Sequence, residues 1–180
     1  MKKYELILED SIDVLDCKLF RIRALTSFGS VKAGDLGGYL EKEKNLSHDG
    51  TAWIAGNAKV CEDAKVYGNA EVSGRVKVWG EAEVSDNARV SDDAWVSGNA
   101  RVTDNARVSD NARVTGNATV SELGDVIVFK DHWSSGRHFT YTKSNKSWKV
   151  GCFYGTGEEL IAKAYKDSEV SGKYYESYVN

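Results

Sequence analysis

Three histidines, three cysteines and one cluster of acid and serine are the residues of this chain whose types could carry chemistry. Asp131, Ser134 or Ser135, and His138 have the types of a hydrolase triad, in which the histidine takes the hydroxyl proton and the acid orients the histidine. Neither a nucleophile elbow nor a supporting fold pattern accompanies them. His132 and His138 flank a Ser-Ser-Gly turn, with Cys152 farther on. These donors suit zinc but lack a standard ligand spacing. His48 stands alone before the first regular repeat and is expected to be structural. Cys17, Cys61 and Cys152 are odd in number and far apart. Partly buried free thiols in a reducing cytoplasm are therefore expected, and not a disulfide framework. No Gly-x-x-x-x-Gly-Lys-[Ser/Thr] loop cradles a nucleotide. The sequence nominates no catalytic residue, no metal site and no cofactor.

Residues that could bind a partner are easier to find. The stretch from Asp125 to Asn180 holds 11 of the 19 aromatic residues. Such density either builds the core of a small unit or supplies a recognition surface, since Trp, Tyr and Arg dominate binding hot spots. Trp133, Arg137, His138 and Trp148 sit in or beside loops and are the candidates for contact with a protein partner.

An aliphatic residue recurs every six positions from Ile54 through Val60, Val66 and Val72 to Val120. Two residues before each stands a small residue, from Ala52 to Ala118; only Val76 breaks the alanine column. A helix of period 3.6 cannot keep a six-residue column on one face. A hairpin meander would need longer strands between its turns. Ala-x-Val makes a short strand whose first and third side chains share a face, and Gly-Asn or Asp-Asn makes the corner. The pattern predicts a β-solenoid. The absence of proline fits, because each ladder would lose a donor to it.

Twelve such hexads resemble the hexapeptide-repeat family. The resemblance implies a left-handed parallel β-helix with three hexads to a coil, so 18 residues per coil and about four to five coils here. Leu40, Leu46 and Val126 are expected to extend it. Residues 18 apart then stack about 4.8 Å apart. Three outward ladders follow: Trp53, Glu71, Arg89, Arg107; then Lys59, Lys77, Trp95, Arg113; then Lys65, Glu83, Arg101, Thr119. The first and third alternate in charge. The second stacks three cations on a tryptophan, which is unfavourable unless corner acids (Asp92, Asp93, Asp110) or cation–π contacts offset it. Lys77, Trp95 and Arg113 are the expected self-association residues of a homo-oligomer, a dimer or trimer.

The reading divides the chain into three. Residues 1–39 form an N-terminal β cap, 40–124 the hexapeptide-repeat β-helix, and 125–180 an aromatic-rich β-β-α unit. The helix should start at the capping box Thr156-Gly157-Glu158-Glu159, and Gly172 is expected to split it. The start of the chain does not read as the apolar core of a signal peptide. No stretch approaches the roughly 18 apolar residues of a membrane span, and a net charge of −3 gives no global attraction to nucleic acid. Cytoplasmic location, with no membrane or nucleic-acid partner, is expected.

Well-known hexapeptide-repeat enzymes are acyltransferases, which use a histidine near the coils as general base toward a thioester. None of the three histidines here lies in the regular coils. The family's carbonic anhydrases hold zinc with three coil histidines, which are missing. The run Gly34-Asp35-Leu36-Gly37-Gly38-Tyr39-Leu40 leading into the repeats resembles poorly characterised hexapeptide-repeat proteins of bacteria and their phages. The missing coil histidines and the aromatic C-terminal unit lead to the expectation of a non-enzymatic protein-binding or assembly protein; the resemblance to phage proteins implies, more specifically, a phage-encoded inhibitor of a bacterial host defence enzyme. An acyltransferase-like enzyme with an acyl-CoA donor is the alternative.

Overall fold

The computed structural model describes residues 2–14 and 16–180. A long hairpin opens it, β1 (Tyr4–Val14) against β2 (Cys17–Ala24), followed by β3 (Leu36–Leu40). Twelve two-residue strands come next, β4 (Trp53–Ile54) to β15 (Thr119–Val120), one per hexad. The chain closes with an antiparallel sheet of β16 (Val126–Lys130), β17 (His138–Thr142), β18 (Ser147–Val150) and β19 (Phe153–Gly155), and with helices α1 (Gly157–Asp167) and α2 (Glu169–Val179).

The twelve strands stack in parallel with the register that the 18-residue spacing predicts: Glu71 lies opposite Arg89, Lys77 opposite Trp95, and Glu83 opposite Arg101. The protein is a β-solenoid of repeats. Every valine from Val60 to Val120 in the column is at most 1% exposed, as are Ile54 and the alanine column. Each coil hangs from the next by backbone bonds such as Lys77 N–H to Ala94 O and Trp79 N–H to Val96 O. The corners need left-handed backbone. Asp86, Asp92, Asp104 and Asp110 take φ between 55° and 60° there, and glycine fills other corners. Asp tolerates this region because its short side chain can bond locally; Ser91 Oγ–H, for instance, donates to Asp92 at 2.8 Å.

Leu40 pairs with Val60 and Leu46 bridges to Val66, so both extend the stack as expected. Val126 does not. It pairs antiparallel with Thr142 in the C-terminal sheet, and only its side chain leans on the solenoid core. Trp53 was expected on the outside of the first ladder and is instead buried at 8% exposure. Phe28, from the loop before β3, meets its ring edge-on at 5.5 Å, a contact that no repeat pattern could announce.

The hairpin is continuous with the solenoid. β3 pairs antiparallel with β2 and parallel with the strand Lys59–Val60, giving one seven-stranded sheet. Tyr4 and Ile22 close the first coil from inside the hairpin's root. A register shift between Ile7 and Ser11 marks a bulge, which bends a strand. Beyond it Ile12, Val14, Cys17 and Leu19 pack with Tyr39, Cys61 and Trp79. Burial pushes the Cys61 thiol up to about 12, with Cys17 beside it adding to the effect.

In the C-terminal unit Phe139, Trp148, Val150, Leu160, Ala164 and Tyr175 form a separate core. The capping box of α1 is present: the Glu159 N–H donates to Thr156 Oγ1 at 3.3 Å, and the Thr156 N–H to Glu159 Oε2 at 2.8 Å. The helix breaks at Ser168 and not at Gly172. Ser168 ends α1 and caps α2 through its hydroxyl, which accepts from the Ser171 N–H at 3.0 Å. Gly172 serves a different purpose. A Cβ there would come 2.3 Å from the Tyr165 ring, so glycine lets the two helices approach closely.

Candidate functional site

The loop between β16 and β17 is built around Asp131, which is 1% exposed. Its carboxylate accepts from the backbone N–H groups of Trp133 (2.9 Å), Ser134 (3.2 Å) and Ser135 (2.7 Å). It also accepts from the hydroxyls of Ser134 (2.7 Å), Ser135 (2.8 Å) and Tyr178 (2.9 Å). Burial alone would raise this carboxyl. The donors from Ser134, Ser135 and Trp133 outweigh burial and hold it well below the usual carboxylate range. The arrangement is not a hydrolase triad. Both serine hydroxyls give their hydrogens to Asp131, and His138 faces Lys130 in the β-ladder instead of a serine.

The consequence of this anchored loop is the placing of Trp133. It is 72% exposed, and its ring stacks on Tyr174 of α2 at 6.4 Å. Tyr174 in turn stacks on Tyr178 at 6.5 Å. Val170 and Tyr165 are exposed on the same two-helix unit. Of the four candidate partner residues, Trp133 and Arg137 are exposed and His138 is half-buried. Trp148 must be corrected: it lies in the core, with Tyr141 at 4.9 Å and the rings of Phe129 and Phe139 edge-on. Its position on β18, opposite Tyr141, turns it inward. Tyr174, exposed and stacked on Trp133, was not among the candidates named from the sequence. Its place in a helical stripe of tyrosines resembles core spacing, although only Tyr175 of that group is fully buried.

The second ladder holds together without acids. Lys77 Nζ lies 4.2 Å from the centre of the Trp95 ring and the Arg113 guanidinium 4.7 Å from it. Trp79 meets Trp95 edge-on at 5.1 Å. The corner acids are engaged elsewhere: Asp93 pairs with Arg75 at 2.7 Å, and Asp92 accepts from Ser91. On the other two faces the expected ion pairs form, Arg89 with Glu71 at 3.3 Å and Arg101 with Glu83 at 3.7 Å.

His48 is fully engaged. The Lys3 backbone N–H donates to its Nδ1 at 3.1 Å, its Nε2 faces Glu43 at 2.9 Å, and its ring stacks on Tyr4 at 4.5 Å. Among the described residues no group of three or more His, Cys, Asp or Glu side chains is placed to hold a metal ion. No helix among them is long and apolar enough to cross a membrane.

With this geometry in view, a family model for the YdcK Beta solenoid repeat matches residues 82–98, 94–108 and 106–122. No curated protein matches the chain. The matched stretches lie inside the regular coils and stop before the C-terminal sheet, so the similarity is to a β-solenoid repeat and concerns the coils.

Proposed function

We propose that the protein is a non-enzymatic binding protein in which the solenoid is a rigid support and the C-terminal unit presents the contact surface. The observation that carries this reading is Trp133, 72% exposed and yet held by an ordered loop. A large aromatic on a fixed support gives up little further freedom on binding, which is how hot-spot residues gain affinity. Arg137 and His138 follow it in sequence, at the end of the loop and the start of β17. A phage-encoded inhibitor of a bacterial host defence enzyme, acting in the cytoplasm, is the specific form of this proposal; it rests on the resemblance of the repeats and their lead-in. Copies of the chain meet, in the same proposal, at the Lys77–Trp95–Arg113 ladder. The acyltransferase alternative gains no support from His48, because both its ring nitrogens already have partners.

The test is capture from a host lysate by the immobilised chain, compared with its Trp133→Ala variant. A protein retained by the wild type and lost with the variant, while melting is unchanged, supports the reading. Identical retained sets overturn the placement of the surface. Sedimentation of Trp95→Ala in the same series should show weaker self-association than wild type.

A further inference from the structure

Where the last coil meets the C-terminal sheet, a pocket of about 180 Å3 is lined by Asn111, Arg113, Arg137, His138 and Gly151. Two of these were expected to bind a partner and one to serve self-association; folding brings them to one place. Arg113 arrives from the solenoid. Its backbone N–H donates to Thr140 Oγ1 at 3.0 Å, and its guanidinium packs on Trp95. Arg137 arrives from the loop, with its carbonyl accepting from the Asp131 N–H at 2.8 Å. Gly151 sits in left-handed backbone at φ 56°, and a Cβ there would fall 3.6 Å from Arg137 Cδ. That is an ordinary van der Waals distance, so the left-handed backbone, and not crowding by the arginine, calls for glycine. Lys149, across the ladder from Thr140, adds a third cationic side chain close to Arg113. Burial first, and then Arg113, lower its affinity for a proton.

The charges are unbalanced. Among the described residues, none of Arg113, Arg137, His138 and Lys149 has a carboxylate within 4.0 Å. Asp167 borders an adjoining cleft with Arg137 but makes no such pair. Asp110, at the corner before Arg113, accepts from Ser109. Elsewhere on the solenoid Arg89 and Arg101 are each matched by a glutamate, although Arg107, stacked on Arg89, is not. Converging cations cost free energy unless an anion is expected there.

Two arginines, a histidine and an asparagine line the pocket, and their N–H groups are donors of the kind that bind an oxyanion. A carboxylate would balance one arginine and leave the other in excess; a phosphate dianion balances both. The pocket is smaller than the roughly 300 Å3 of a site that encloses a whole drug-sized molecule. It can take a head group whose remainder lies along the surface. We propose that this pocket binds the phosphoryl group of a small phosphorylated molecule or of inorganic phosphate. The proposal goes beyond the partner-binding reading: it shares Arg137 and His138 with that surface and Arg113 with the self-association ladder, but not Trp133.

The experiment is a titration of the full chain with inorganic phosphate at constant ionic strength. It is read by the side-chain Nε–H signals of Arg113 and Arg137 in nitrogen–proton correlation spectra. A parallel titration uses glycerol phosphate, and acetate serves as control. Saturable shifts of both arginine signals with phosphate, and not with acetate, are expected. Tighter binding of glycerol phosphate than of phosphate would identify an ester as the source, and the reverse the free ion. Arg137→Gln should weaken binding at least roughly tenfold, about 1.4 kcal/mol, with the backbone spectrum otherwise unchanged. Arg113→Gln gives a second reading should Arg137→Gln disturb the loop. No saturable shift up to tens of millimolar, equal response to acetate, or wild-type affinity in a folded variant overturns the proposal. Trp133→Ala should leave phosphate binding intact, so this site and the partner surface fail or succeed separately.

Discussion

Asp131 draws six hydrogen bonds from four residues, and its charge is what makes them strong. Because its folded pKa is depressed, its contribution to stability is fully present above the ordinary aspartate value of about 3.9. It is lost as the pH falls through the folded value. Asp131→Asn keeps the volume but removes the charge and turns an N–H2 toward other donors. A loss of about 1–3 kcal/mol in the C-terminal unit is expected, measured by denaturant unfolding followed through tryptophan fluorescence. The wild type should lose this advantage in acid and approach the variant; a constant gap from neutral pH down to strong acid would contradict the assignment. The sequence displayed the acid, two serines and a histidine, but types alone suggested catalysis. Only the loop's path reveals that the serines donate to the acid and that the histidine leaves the group.

Each hexad contributes a two-residue strand, too short to be stable alone; the stack makes it so. The valine column is the sealed interior, and the position before it faces water or a neighbouring coil. Val90 is 0% exposed. Val90→Asp buries a charge without a partner, a cost of roughly 3–5 kcal/mol, a large share of the about 5–15 kcal/mol that holds a domain folded. Arg89→Ala, one residue away, removes an exposed pair with Glu71 and should cost less than about 0.5 kcal/mol. Thermal unfolding followed by circular dichroism compares the two, and equal melting points would refute the inward assignment of the valines. The period makes these elements readable in the sequence, because neither a helix nor a hairpin meander keeps a six-residue spacing. What it could not convey lies where repeats end. Phe28 covers Trp53, Ser168 divides the helices, and β3 joins hairpin to solenoid through Gly37 and Gly38. A Cβ on Gly38 would stand 2.5 Å from the Ala58 carbonyl. Such close approaches depend on chain segments that are distant in sequence.

At the scale of the whole molecule the two ends of the solenoid face the same problem, an open edge of strands that another chain could extend. The hairpin closes one end. At the other, the last coil directs its N–H groups toward the C-terminal unit, and side chains receive two of them. Thr140 Oγ1 accepts from Arg113 and Ser144 Oγ from Thr119 at 2.9 Å. Val126 and Val128 lie over the end of the valine column. The C-terminal unit is therefore a cap as well as a contact surface, and the two roles separate by mutation. Trp133→Ala changes an exposed ring and should leave sedimentation as in the wild type. Removing residues 125–180 bares the edges at Arg107–Val108, Arg113–Val114 and Thr119–Val120 together with the end of the core. The shortened chain should associate in a concentration-dependent way, and its melting should fall. Coils far from the cut would keep their strand signal, because each coil contacts only its neighbours. If the shortened chain sediments as the full chain does and melts at the same temperature, the last coil needs no cover, and the side-chain bonds from Thr140 and Ser144 contribute nothing to its closure.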